Sequence, residues 1–575
     1  MTVNLMKVAF VAVFALALGG QPGCKKANNG TPEAKRAARQ EAATSLGSGA
    51  FFKHIPKESP YVFASFKSIP EEIFVDMLEP MGTFWEIVAE KIEDDIKGNS
   101  KEDKVGRAVM KELRGKINKE GLLSLGISTS PEFAIYGMGP LPVVRLEIKD
   151  GTKFRAALDR IAKDADDKIP WKSSGDIRYL STIEKDAAFV FAPLDESLVF
   201  AVVPTETLEE SLPLLFGTQT PKESMADGAY MRELAARHGF GPYGLGYVDF
   251  GRLYEAATGK LSGETMKYWQ ALTKGEWLKP PQGCVPHIEK LTGELIPRVV
   301  FGYGDLDRTT MSFSFLVELA PALGLGLRAL TVGMPGLTDA TIENSMFSLG
   351  GGLQIKNAQN TAKLVAWYLE KIGNQCEAKE LKRVAKDLVD FSRLPIPKEI
   401  GDELGILLSV IDGDFDLNGK DVKNVNAFAL IELGDPAHWI EKANQSSGGM
   451  VTLTVPADGK FHKQNFPFIP PEATDGIFLA IKDKILMFAA GEKGKSAALA
   501  ALKDIPKHPP FGLIRYDMSK LADIVDEVAS LEESPSAREA ANLLMDAWSQ
   551  WSHVGIKLHA TDNAFGLTFT SEKKL

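Results

Sequence analysis

The sequence predicts an α+β fold: two internally duplicated domains with largely antiparallel sheets and interleaved helices, behind an N-terminal signal and tether. Three observations carry this. Strand-like segments alternate apolar and polar residues in local hairpins, helical segments sit between them, and the whole set recurs along the chain. At 575 residues, with 44% hydrophobic and 25% charged side chains, the chain has globular composition but is too long for one core.

The first segment, 1–24, reads as an export signal. Lys7 supplies the positive start and Val8 to Leu18 an apolar run, shorter than the roughly 18 residues a membrane span needs. Two cuts compete. Gly23-Cys24 followed by Lys25-Lys26 suits a lipoprotein signal peptidase that leaves Cys24 acylated, although Gln21-Pro22 degrades the motif. The rival is ordinary cleavage after Gly19, read through Ala17 and Gly19. Residues 25–50 form a polar tether with a short helix from Pro32 to about Leu46, whose proline suits a first helical turn. The lysine at position 25 suits delivery to an outer membrane, and the expected location is the envelope, facing the periplasm. Ordinary cleavage would instead leave a soluble periplasmic or secreted protein.

The first repeat occupies 51–320. It opens with a strand, Tyr61 to Phe66, followed by a long amphipathic stretch, Pro70 to Lys119. Leu146-Glu147-Ile148-Lys149-Asp150 is a strand end entering a helix, Lys153 to Ala165. Phe191-Ala192 and Val199-Phe200-Ala201 flank the acidic turn at Asp195, and a helix follows from Thr205 to Phe216. A strand-to-helix step at Leu245 to Leu253 and a hairpin at Arg298 to Leu319 complete it. Residues 321–343 read as a linker.

The second repeat, 344–575, runs through the same steps. A strand at Met346 to Leu353 leads into Thr361 to Phe391, where Leu364, Trp367, Tyr368 and Ile372 recur at helical spacing. Ile431-Glu432-Leu433-Gly434-Asp435 echoes the earlier strand end, ahead of a helix from Ala437 to Asn444. Leu479-Ala480, Asp483 and Met487-Phe488-Ala489 echo the hairpin, with the helix Lys493 to Leu502 after it. Leu513 to Leu521 aligns Asp517 with Asp249, and His553 to Thr570 is the closing hairpin. The offset between matched residues shortens towards the end, so the first copy carries extra helical material around Met225 to His238 and Ser262 to Leu295.

Pro60-Tyr61-Val62-Phe63-Ala64, Phe133-Ala134-Ile135-Tyr136-Gly137 with Pro142-Val143-Val144-Arg145, and Pro297 to Tyr303 resemble an uncharacterised family of duplicated bacterial envelope lipoproteins of the myxobacterial type. The resemblance covers most of the chain and implies location and fold, without an activity.

Few residues suggest chemistry. Asp414, Asp416 and Asn418, ahead of Gly419, begin like a calcium-binding EF-hand loop, but Val425 stands where a closing Glu is required. Asn418-Gly419 between two strands is also a favoured hairpin turn. Gly239, Gly241 and Gly244 have the spacing of a dinucleotide fingerprint in the wrong context, with a helix before and a strand after. Asp249 and Asp517 read as helix caps or as a paired ligand site. Cys284-Val285-Pro286-His287 lacks a second ligand pair at zinc spacing. In an oxidising compartment Cys284 and Cys376 form a disulfide or remain two buried thiols. Trp548 and Trp551, in an amphipathic stretch from Ala537, read as core.

With 76 acidic against 66 basic side chains and net charge −10, no basic stripe suits a nucleic-acid partner. No cofactor is expected. The reading that results is a noncatalytic envelope lipoprotein, held at the membrane through Cys24, that binds a partner protein or an apolar ligand. The alternative is a periplasmic enzyme whose residues converge only in three dimensions.

Overall fold

The computed structural model describes residues 46, 47, 49–76, 78, 82, 101–166, 170–343, 345–416, 421–448, 452–466, 469–519 and 551–573. Cys24, the expected tether helix up to residue 45, Asn418 and Trp548 lie outside them. The protein is mixed helix and antiparallel sheet, as the sequence predicts, and divides into two compact units. The first holds the described residues up to Lys279 together with Pro297–Phe313. The second holds Pro280–Ile296 and the described residues from Ser314 onward.

The strands of the first unit are β1 (Tyr61–Ala64), β2 (Phe133–Met138), β3 (Leu141–Glu147), β4 (Lys172–Ser174), β5 (Ile177–Glu184), β6 (Ala187–Pro193), β7 (Ser197–Pro204), β8 (Leu245–Asp249) and β9 (Arg298–Leu306). The unit boundary falls within β10 (Thr310–Glu318). Antiparallel pairing gives the order β4-β5-β6-β7-β3-β2-β1-β8-β9. One face follows the pleat through Phe63, Ile135, Val144 and Phe200, which stand opposite one another in register. Above it lie Ile69, Ile73, Phe74 and Leu78, then Val105, Ala108 and Val109 of the helix Lys101–Leu113. Ala157, Leu158 and Ile161 of the helix Gly151–Asp164 complete the cover. Each fully buried Val, Leu, Ile or Phe among them contributes about 1.5–3 kcal/mol.

The second unit contains β11 (Phe347–Gln354), β12 (Glu403–Asp416), β13 (Asp421–Glu432), β14 (His462–Gln464), β15 (Ile477–Lys482), β16 (Ile485–Ala490), β17 (Gly512–Asp517), β18 (Trp551–Ala560) and β19 (Ala564–Lys573). Their order is β14-β15-β16-β13-β12-β11-β17-β18-β19. Element for element, β5-β6-β7-β3-β2-β1-β8-β9 of the first unit runs through the same pairing as β14-β15-β16-β13-β12-β11-β17-β18. The caps follow suit. Asp150 accepts from the backbone N–H of Thr152 and Lys153 after β3, and Asp435 accepts from His438 N–H after β13.

Two expectations need correction here. Residues 321–343 are more than a linker: Met334, Leu337 and Ile342 enter the core of the second unit beside Leu407, Phe428, Leu430 and Met487. Gly350 makes room for this, since a Cβ there would stand 2.6 Å from Leu337 Cδ1. Trp551 opens strand β18 and so does not continue the amphipathic stretch from Ala537. No described helix is long and apolar enough to cross a membrane.

Candidate functional site

Alternation along β12 sends Leu404, Ile406 and Leu408 to one side of the sheet and Leu407 and Ser409 to the other. Leu407 and Ser409 are buried, whereas Leu404, Ile406 and Leu408 are exposed, as is Leu349, directly opposite Leu408 on β11. Gly351 stands opposite Ile406 and cannot shield it, because a Cβ there would lie 2.3 Å from the backbone oxygen of Phe511. The result is a contiguous apolar half-face on the second unit.

The matching half-face of the first unit is closed. Register identifies the equivalent residues: Phe133 pairs with Leu146 and Leu146 with Leu198, as Ile406 pairs with Ile431 and Ile431 with Leu486. Phe63 likewise corresponds to Leu349. Phe133 and Phe63 are 1% and 4% exposed, against 48% and 41% for Ile406 and Leu349. The other end of the second unit's face is covered, by Ile440 and Trp439 of the helix Pro436–Ser446 over Leu479, Ile481 and Leu486.

The uncovered region lies where the chain between β11 and β12 would be expected to pack. That chain is a helical hairpin, Ile355–Gln375 and Lys379–Ser392. Its buried stripe is Ala358, Ala362 and Ala366, with Ile372 and Gly373, and Ala385 is the buried residue of the second helix. Alanines four apart share one helix face and let two helices approach closely. Contrary to the sequence reading of Leu364, Trp367, Tyr368 and Ile372 as one apolar face, Ile372 is buried while Leu364 and Trp367 are exposed, at 67% and 60%. Lys371 lies over the Trp367 ring, 5.7 Å from its centroid.

The cysteines act on this hairpin. Cys376 caps the first helix and is bonded to Cys284, with Cα atoms 4.6 Å apart. His287, in the short helix after Cys284, meets the Tyr368 ring at 6.4 Å and hydrogen-bonds Gln375.

The remaining sequence candidates are structural where they are described. Asp249 Oδ1 accepts from Arg252 N–H at 3.0 Å, and Asp517 Oδ1 accepts from Ser519 N–H at 3.0 Å. The Asp414 carboxylate accepts from Asn424 Nδ2 at 2.7 Å across the β12–β13 ladder, while the Asp416 side chain lies outside the described residues. Gly239 closes the helix Ala229–His238 in a left-handed conformation, as a helix-ending glycine does. Among the described residues no group of three or more His, Cys, Asp or Glu is placed to hold a metal ion.

Sequence reasoning missed a carboxylate pair on the other side of the sheet. Gln354 Nε2 donates to Glu403 at 2.7 Å and Lys484 approaches it at 3.4 Å, which hold the Glu403 carboxyl below its usual range. Burial, reinforced by the neighbouring Glu403, pushes Glu432 upward. Two carboxyls with pKa values driven apart can share a proton. They are far apart in sequence, and no spacing announces them.

No family model matches the chain, and no solved structure matches it. A stretch of 120 residues is 28% identical to a proline–tRNA ligase of Listeria monocytogenes serotype 4a, covering 19% of this chain and 21% of the ligase. A proline–tRNA ligase of Listeria welshimeri is 29% identical over 120 residues, with the same coverage. The match thus spans about a fifth of the length of these relatives.

Proposed function

We propose that the protein is a noncatalytic envelope lipoprotein, held at the outer membrane through Cys24, whose duplicated body binds a partner protein or an apolar ligand. The observation that carries the binding reading is the exposed half-face of Leu349, Leu404, Ile406 and Leu408, since contiguous apolar surface of this kind marks interaction sites. The shared strand order of the two units supports an origin by duplication, and the export signal supports the location. Palmitate labelling tests the anchor: label is incorporated by the native chain and lost in Cys24→Ser, and unchanged labelling would sink it. Native mass spectrometry and crosslinking in cells test the binding. A clean apo mass with no crosslinked partner rules it out.

The second reading, a periplasmic enzyme, has one observation in its favour, the Glu403–Glu432 pair. Proline–tRNA ligase chemistry is a weaker form of it, resting on a match to a fifth of those enzymes. A turnover screen against envelope substrates in which Glu432→Gln is inactive would favour this reading.

A further inference from the structure

We infer that the helical hairpin Ile355–Gln375 and Lys379–Ser392 is a lid for the apolar half-face of the second unit, and that the Cys284–Cys376 bond straps it open. The inference concerns the regulation of the binding face proposed above and rests on that reading.

The first unit shows what seats on this surface. Between its first two strands the chain supplies Ile69, Ile73, Phe74 and Leu78 and the helix Lys101–Leu113, and these bury Phe63 and Phe133. The hairpin occupies the same place in the second unit, between β11 and β12, so it is the topologically equivalent cover. It has the chemistry for the task. Leu364, Val365 and Trp367 on the first helix and Val384 on the second are exposed, as are Leu349, Leu404, Ile406 and Leu408 on the sheet. Two apolar surfaces joined by one chain and both left in water gain by meeting, because apolar area is removed from solvent.

The strap explains why they do not meet. The hairpin is rooted at its base, where Ile355 N–H donates to the Asp402 carbonyl, and Cys376 stands at the opposite end, at the turn between the helices. The bond from Cys376 to Cys284 ties that tip to the segment Pro280–Ile296, with His287 hydrogen-bonded to Gln375 beside it. A hairpin held at both ends cannot swing. Reduction by a dithiol releases it: the S–S bond takes up two electrons and two protons, giving two thiols on the protein, and the reductant becomes a disulfide. The freed hairpin then lies over Ile406 and competes with any guest on that face.

The test is acrylamide quenching of Trp367, taken as the difference between the protein and its Trp367→Phe variant, in the oxidised chain and in Cys284→Ser/Cys376→Ser. Far-UV circular dichroism checks that both are folded. The expected result is at least a twofold loss of quencher access without the bond, restored by adding Ile406→Asp. Unchanged quenching in folded protein overturns the inference. If the bond-free double variant does not fold, the same difference is read on the full chain after mild reduction of the folded protein with dithiothreitol. A loss of quencher access that Ile406→Asp abolishes supports the lid, and unchanged access in protein that keeps its far-UV circular dichroism overturns it. Protection that grows with protein concentration, together with a dimer in size-exclusion chromatography, assigns the face to a second copy and also overturns it. No guest enters any of these measurements, so failure of the lid and failure of the ligand reading are read separately.

Discussion

Phe133 and Ile406 stand at the same point of the same strand register in the two units, and one is 1% exposed where the other is 48% exposed. A common topology thus carries two different burial states. The difference lies in where the chain between the first two strands goes: over the sheet in the first unit, and into an alanine-spined hairpin in the second.

The pair should respond unequally to truncation. Phe133→Ala removes a ring from a closed core and is expected to cost about 3–5 kcal/mol, whereas Ile406→Ala in the oxidised protein is expected to cost under about 1 kcal/mol. Urea unfolding of both variants checks this. Equal losses would mean that Ile406 is covered in solution.

Among the described residues Arg145 is the largest fully buried side chain. Its Nε donates to Tyr136 Oη at 3.2 Å, and its Nη2 donates to the carbonyls of Leu214 and Leu215 at 2.9 and 2.8 Å, capping the end of the helix Leu208–Phe216. Arg145→Ala leaves those acceptors dry as well as a cavity. A loss of about 3 kcal/mol or more is expected in thermal or urea unfolding. Arg145→Lys, a point charge lacking the planar fork, should recover only part of it.

Burial, with the nearby Arg145 charge, lowers the pKa of His54 from 6.5 to about 3. The fold therefore holds it neutral, while the unfolded chain takes up a proton below 6.5. Its contribution to stability is complete above pH 6.5 and is lost as pH falls from there towards 3. His54→Gln should flatten the decline of melting temperature over that window relative to the native chain. An unchanged slope would exclude His54 as its source.

Glu432 has the opposite sign. Its carboxyl is raised above the ordinary 4.5 by burial and then by Glu403, so the stability tied to its proton is present at pH below 4.5 and lost as pH rises through the folded value. Glu432→Gln removes that dependence. The variant should melt higher than the native protein at neutral pH, and the gap should close below pH 4.5. A lower melting temperature at neutral pH would show that the ionised carboxylate is stabilising.

Much of the fold was legible because its signals are local. Asp150 and Asp435 announce helix starts by side-chain chemistry, and both cap helices. Asp195 and Asp483 mark turns between strands whose alternation has a period of two. The hairpin was legible as helix, but not its buried side. Helical spacing selects a face, and Leu364 with Trp367 is the more apolar one, yet tertiary packing chose the alanines. The half-face was hidden for a related reason. Leu404 to Ile411 reads as a mostly apolar strand, and nothing local says which alternate residues will find a cover.

The sequence by itself determined the α+β class, the repeated order of elements and the two cysteines available to bond, because each depends on residues close in the chain or on composition. Only the tertiary structure decided that Phe133 is closed over while Ile406 is open, that Met334 and Leu337 of the expected linker belong to a core, and that Glu403 and Glu432 meet. Burial and the meeting of two carboxyls are set by groups remote in sequence, and the same strand register can be covered or left bare according to where the chain between its strands goes.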